Sequence, residues 1–410
     1  MNLSRRDFLK TSSLVAMGLS VPAFLHRTAA ATRTADQPGA RDSILVVVQL
    51  TGGNDGLNTV IPFKDPEYAK LRPTLKIAPA QVRKITDDIG LHPSLTGLAE
   101  LHNEQQALCV VQGVGYPNPS QSHFRSMDIW QAGSTAEQLT EGWIGKALRG
   151  MKGAPSFHLA ATNESAPLAL SGAPARVPSI TSLEDFQLKL SAASGSDKQE
   201  QREVIEGAVK GASERPGLLD FVARTAANTY ASSRRLQEIG KNYQPKATYP
   251  QTPLANRLKL AAQLIDAELG TRIFYVSIDG FDTHASQAPA HTQLLLELSG
   301  AMTAFFKDMA ARGHKDRILM MTFSEFGRRA KENGSRGTDH GSAAPMLLVG
   351  GKVKPGVVGD HPSLTRLEFG NLAHHTDFRQ VYATILDEWL GVGSKEVLGG
   401  EYKKVEIFKG

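Results

Sequence analysis

Five polar clusters carry the side chains of this 410-residue chain whose types and spacing suit catalysis or metal binding. They are Gly53-Asn54-Asp55-Gly56, Pro119-Ser120-Gln121-Ser122-His123-Phe124-Arg125-Ser126, Asp279-Gly280-Phe281-Asp282-Thr283-His284, Ser324-Glu325-Phe326-Gly327-Arg328-Arg329 and Gly337-Thr338-Asp339-His340-Gly341. Carboxylates and imidazoles drawn together destabilise one another unless they share a proton or a cation, and such oxygen and nitrogen sets suit divalent metal ions. Asp55, Asp282, His284, Glu325 and His340 are therefore the expected ligands of one or two ions of zinc, calcium, magnesium or manganese. Each has a structural rival. Asp282 can cap the helix that follows it, Glu325 can pair with Arg328 or Arg329, and Asn54-Asp55-Gly56 is a common turn sequence.

A serine hydroxyl attacks only after losing its proton, which an adjacent base or a coordinated metal promotes. Ser122, beside His123, is the candidate nucleophile, with Ser126 and Thr51 as rivals and a turn or helix cap as the plain alternative. Arg125, Arg328 and Arg329 are candidates to hold the charge of an anionic ester.

These clusters need elements that bring them together. Ile44 to Leu50 is a continuous apolar run rich in β-branched residues, the pattern of a strand buried on both faces, and it ends in the glycine loop before Asp55. Further strands are expected over residues 107–112, 273–278, 318–323 and 346–349. Between the third and fourth of these five strands, Leu295, Leu298, Met302, Phe305 and Met309 step by three and four, giving a strand, a crossover helix and a strand. The expected fold is α/β, with a mostly parallel central sheet flanked by helices. Loops at the carboxyl ends of such strands share one crevice. Residues 183–245 turn polar and helical without a strand signal and read as a helical insertion.

The chain opens on Ser4-Arg5-Arg6-Asp7-Phe8-Leu9-Lys10, followed by a modest apolar stretch and Ala29-Ala30-Ala31. That is the pattern of a twin-arginine signal over residues 1–31, with cleavage expected near Ala31, a linker over 32–42 and the α/β domain from 43 to 410. The expected partner in export is the twin-arginine translocase, and the expected location is the periplasm or outside the cell. No later stretch approaches the roughly 18 apolar residues of a membrane span. Of the formal charge of +5, Arg5, Arg6, Lys10 and Arg27 against Asp7 account for +3, so the remaining +2 gives nucleic-acid binding no support. Cys109 is the only cysteine, which excludes an intramolecular disulfide.

In this order, the clusters resemble the twin-arginine-exported bacterial family known as domain of unknown function 1501. The resemblance runs through Leu50-Thr51-Gly52-Gly53-Asn54-Asp55, Gly115-Tyr116-Pro117-Asn118-Pro119, Ser122-His123-Phe124-Arg125, Gly280 to His284, Ser324 to Arg329 and Gly337 to Gly341. That family is in turn similar to the alkaline phosphatase and sulfatase superfamily. The second resemblance implies a phosphatase-like fold, metal ions beneath a nucleophilic hydroxyl, and a small anionic phosphate or sulfate ester as substrate. It also implies that Asp55 stands at the first metal-binding Asp, that Asp282, His284 and His340 follow as ligands, and that Glu325 replaces one carboxylate. Ser324-Glu325 stands where that superfamily keeps an Asp-His pair, so one imidazole is missing. This departure keeps two alternatives open, a non-catalytic metal-binding or assembly protein of the envelope and a metal-independent serine esterase.

Overall fold

The computed structural model describes residues 43–183 and 242–409, apart from 152, 153, 155 and 163, together with residue 240. The expected signal, linker and most of the helical insertion lie outside the described residues. The chain divides into two compact units, and the one formed by residues 40–181, 245–262 and 271–410 contains everything discussed below.

Its strands are β1 (Ile44–Thr51), β2 (Val60–Ile61), β3 (Arg83–Lys84), β4 (Gly90–Leu91), β5 (Leu108–Gly115), β6 (Ser156–Leu159), β7 (Ser179–Ile180), β8 (Ile273–Asp279), β9 (Ile318–Phe323), β10 (Ala344–Gly350), β11 (Gly356–Val358) and β12 (Thr376–Asp377). The large sheet runs β11-β5-β10-β9-β1-β8-β6-β7, with β12 also on β5. β1 pairs in parallel with β8 and β9, and β6 in parallel with β7 and β8. β10 is antiparallel to both its neighbours, β5 and β9. β5 therefore points the same way as β1, while β10 enters the sheet from the opposite direction.

All five sequence-predicted strands are present, and β1 is buried on both faces because helices cover both sides of the sheet. Leu45 and Val47 face a core built with Trp130, Trp143, Phe378 and Tyr382, from the helices His123–Ala132, Trp143–Gly150 and Phe378–Thr384. Val46 and Val48 point the other way and are equally buried. The helix Gln287–Ala311 is the crossover between β8 and β9, and it buries the predicted Leu295, Leu298, Met302, Phe305 and Met309. The two strands it joins lie on either side of β1.

Register fixes where the loops begin. Thr51 lies opposite Asp279, Gln49 opposite Phe323, and Val114 opposite Ala344. The carboxyl ends of β1, β5, β8 and β9 and the amino end of β10 thus share one edge, so the segment before β10 reaches the same place as the loops that follow the other four.

Candidate metal centre at the carboxyl edge of the sheet

The loop after β1 turns on Gly52, whose φ of +118° is open only to glycine, and a Cβ there would lie 2.4 Å from the backbone nitrogen of Asp282. The backbones of the loop after β1 and of the third cluster can therefore touch. Arg328, fully buried, ties them to the others: its Nε donates to the Gly53 carbonyl at 2.7 Å, Nη1 to Thr338 at 2.7 Å, and Nη2 to Gly52, Phe281 at 3.0 Å and Asp282 Oδ1 at 2.6 Å. One guanidinium thus fixes three loops and orients one carboxylate.

Around Asp282 stand three imidazoles. His284 Nε2 is 3.0 Å and His340 Nε2 3.2 Å from Oδ1, while His123 Nε2 is 3.4 Å from Oδ2. His284 Nε2 and His340 Nε2 are themselves 2.9 Å apart. His123, Asp282 and His340 form a group whose donor atoms all lie within 4.8 Å of one another, as holding a metal ion requires.

The opposite ring nitrogens decide what faces the centre. His123 Nδ1 lies 2.8 Å from the carboxylate Oε1 of Glu325, His340 Nδ1 2.9 Å from the Gln121 carbonyl, and His284 Nδ1 3.5 Å from Asp339 Oδ1. The Glu325 carboxylate and the Gln121 carbonyl assign the proton to Nδ1 of His123 and His340, which leaves a lone pair on each of those two Nε2 atoms. Two lone pairs and a carboxylate then converge, with His284 Nε2 beside them. That is the arrangement of metal-binding histidines, each backed by a carboxylate or carbonyl. By this test the donor set fits a divalent ion such as zinc, which takes imidazole and carboxylate together.

Electrostatics agree. Burial pushes the Asp282 carboxyl up, but the Arg328 guanidinium, with His340 and His284, holds it below the usual carboxylate range. Burial pushes His340 below its usual value and so favours the neutral ring, against the Gln121 carbonyl and the Asp282 carboxylate, which favour the charged one. Phe326 packs on the rings of both His123 and His340, with centroids 4.9 and 4.7 Å away, and closes the floor of the centre.

Several expectations need correction. Asp55 is not among the converging ligands: it is fully buried, it forms a two-point ion pair with Arg72 at 2.5 and 2.9 Å, and it accepts from Gln287 Nε2 at 2.5 Å. Burial pushes its carboxyl up, and the Arg72 guanidinium overrides this to bring it to about 2. Glu325 stands behind His123 rather than in the ring of donors. Its Oε1 also accepts from the Gly52 N–H at 2.8 Å, so it orients an imidazole. Neither Arg125 nor Arg328 is presented to an ester. Arg125 donates to the carbonyls of Thr135, Ala136 and Glu137, and Arg328 is consumed by the bonds described above. His123, expected beside Ser122 among the catalytic residues, faces Asp282. Ser126 is excluded as a nucleophile because its buried hydroxyl donates to the Glu325 carbonyl and bonds Tyr116. Ser122 is the exposed N-cap residue of the helix His123–Ala132, and its side chain makes no capping hydrogen bond.

Arg72, Gln287 and His291 were not singled out by sequence reasoning. Gln287 joins Asp55 to Thr338 and Thr283, and His291 faces Asn54 at 3.1 Å, so together they anchor the first loop from below. Their signal was present in the spacing: 287, 291, 295, 298 and 302 continue one face of the crossover helix, so its first two turns carry polar groups on a buried stripe. Arg72, in a loop before Pro73, carries no comparable mark.

The molecule is thus an α/β protein with a His and Asp group able to hold a metal at the carboxyl edge of its sheet. The chain belongs to the family described as protein of unknown function (DUF1501), whose match spans residues 42–400. The comparison with curated proteins finds no match. Among solved structures, it is similar to the periplasmic domain of EcEptC from Escherichia coli in complex with Zn, at 10% identity and TM-score 0.34 over 76% of this chain and 74% of that one. It is similar to the PsFucS1 sulfatase from Pseudoalteromonas sp. at 11% identity and TM-score 0.33 over 84% and 70%. A phosphonate monoester hydrolase of Agrobacterium radiobacter follows at 10% and 0.35 over 88% and 78%. At these values the fold class rests on the sheet and its helices alone.

Proposed function

We propose that this chain is a divalent-metal-dependent hydrolase of phosphate or sulfate esters, exported by the twin-arginine translocase and active in the periplasm. The observation that carries the reading is the convergence of three imidazole Nε2 atoms on the carboxylate of Asp282, with the His123 and His340 rings each backed on Nδ1. Asp282, His123, His284 and His340 would hold the ion, and Glu325 and Arg328 would keep those ligands in place. A divalent ion bound there would supply Lewis acidity to an ester oxygen and to a nearby hydroxyl. Ser122, between Gln121, whose carbonyl backs His340, and His123, is the hydroxyl assigned to attack the phosphorus or sulfur in line as the ester oxygen leaves. The first N–H groups of the helix His123–Ala132 lack partners within the helix and are donors for the anion.

A second reading, a binding or assembly protein of the envelope, is favoured by one observation: Arg125 and Arg328 both spend their donors inside the protein. Purified protein separates the two readings. Asp282→Asn and His340→Ala are expected to lower bound metal, and Ser122→Ala to abolish turnover of aryl phosphates or aryl sulfates while leaving bound metal intact. Unchanged metal in both ligand variants contradicts the site, and no turnover by the metal-loaded wild type favours the binding protein.

A further inference from the structure

Among the described residues, two aromatic side chains are left almost wholly in water, Phe124 at 87% and Phe369 at 96% exposure. Phe124 adjoins a residue of the metal centre, and Phe369 lies on a hairpin bonded to two of its loops. Phe124 follows His123 in the first turn of its helix. Phe369 sits at the tip of a hairpin closed by paired bonds between Glu368 and Asn371, 3.0 and 2.9 Å long. That hairpin is tied to two of the loops that build the centre. The Asn371 side chain accepts from Gln121 Nε2 at 3.5 Å, and the Gly370 carbonyl accepts from the Ala330 N–H at 3.3 Å.

The tip is strained in a telling way. Phe369 has φ +53° and Gly370 φ +86°, the signs that a type I′ turn demands of its two central residues. Asn-Gly meets that demand easily, whereas a bulky L side chain at the first position clashes with its own backbone. Phe369 therefore suits neither its backbone nor its solvent exposure, and the fold gains no packing from it.

We propose that Phe124 and Phe369 form an aromatic rim to the centre and select anionic esters whose leaving group carries a ring. The inference rests on reading the centre as an anion site. The patch is too small for a macromolecular partner, since two side chains among the exposed polar Gln121, Ser122, Asp128, Arg366 and Glu368 fall far short of the roughly 800 Å² that each side of a stable interface buries. A single ring is the occupant that matches it in size, and stacking on aromatic faces is its ordinary mode of recognition.

Calorimetric titration of the zinc-loaded full chain with phenylphosphonate and methylphosphonate tests this without turnover. The wild type is expected to bind the phenyl ligand about tenfold more tightly, the gain of one or two aromatic contacts. In Phe369→Asn, and separately in Phe124→Ala, that preference is expected to shrink to about threefold or less. The zinc content of Phe369→Asn should match the wild type and its melting temperature should not fall, because asparagine accepts a positive φ. Equal affinities in the wild type, a preference undiminished in both variants, or binding of neither phosphonate overturns the rim. A ring preference in a protein that hydrolyses no ester leaves the rim standing and removes the hydrolase, and ester turnover without the preference does the reverse.

Discussion

Replacing Arg72 by methionine keeps the length of the side chain and removes only its charge and donors. In the native protein that guanidinium is fully buried, holds both Asp55 oxygens at 2.5 and 2.9 Å, and donates to the carbonyls of Ala330 at 2.7 Å and Arg329 at 3.0 Å. The position of the Asp55 carboxyl at about 2, against an ordinary 3.8, corresponds to roughly 2.5 kcal/mol of net preference for the charged form even after burial has opposed it. Removing one partner of such a pair strands the other charge, so Arg72→Met is expected to destabilise the unit by about 3–5 kcal/mol in urea unfolding at pH 7. Native Asp55 contributes stability that is full above 3.8 and lost as pH falls through about 2. In the variant the desolvated carboxyl titrates well above 3.8, so the gap to the wild type narrows on acidification. Adding Asp55→Asn to the variant should recover part of the loss, and the folded double variant should bind as much metal as the wild type. A gap under about 1 kcal/mol for Arg72→Met, within the range of a surface pair, would refute the reasoning. So would loss of metal in the folded double variant.

Two further outcomes follow from the same geometry. Glu325→Gln can place an amide N–H against His123 Nδ1 and so move the ring proton to Nε2, where it blocks coordination; chelator competition is expected to give a metal affinity lower by about 10- to 100-fold, and an unchanged affinity would return Glu325 to a packing role. Burial pushes His92 and His291 down to about 4, so both stabilise the fold as neutral rings above their ordinary 6.5 and lose that contribution as pH falls through about 4. Unfolding free energy should be level from pH 7 to 8, then decline from about 6.5 toward 4, with a shallower decline in His291→Gln.

Much of this was legible in the sequence because it is local or periodic. The unbroken apolar run of β1 announced a strand covered on both faces, and the three- and four-residue steps of Leu295 to Met309 announced the crossover helix. Asp282, His284 and His340 were legible as residue types in glycine-bearing loops. What escaped depends on contacts distant in sequence. Nothing near Asp55 tells that Arg72 will turn back to it, and nothing in Ser324-Glu325 tells that this carboxylate will back the imidazole of His123. His340 precedes its strand rather than following it, and it joins the centre only because β10 runs antiparallel. The segment after β9 lacks an imidazole, and His123, which groups with Asp282 and His340, comes from beyond β10 in the sheet order.

The central claim is that His123, His284 and His340 gather on Asp282 to hold a metal. Anomalous scattering from crystals of the zinc-loaded protein tests it most directly. A peak is expected about 2.0–2.2 Å from Asp282 and from at least two of the three Nε2 atoms, with Glu325 outside the coordination shell. A zinc-loaded crystal with no peak there, or with its peak against Asp55, would contradict it.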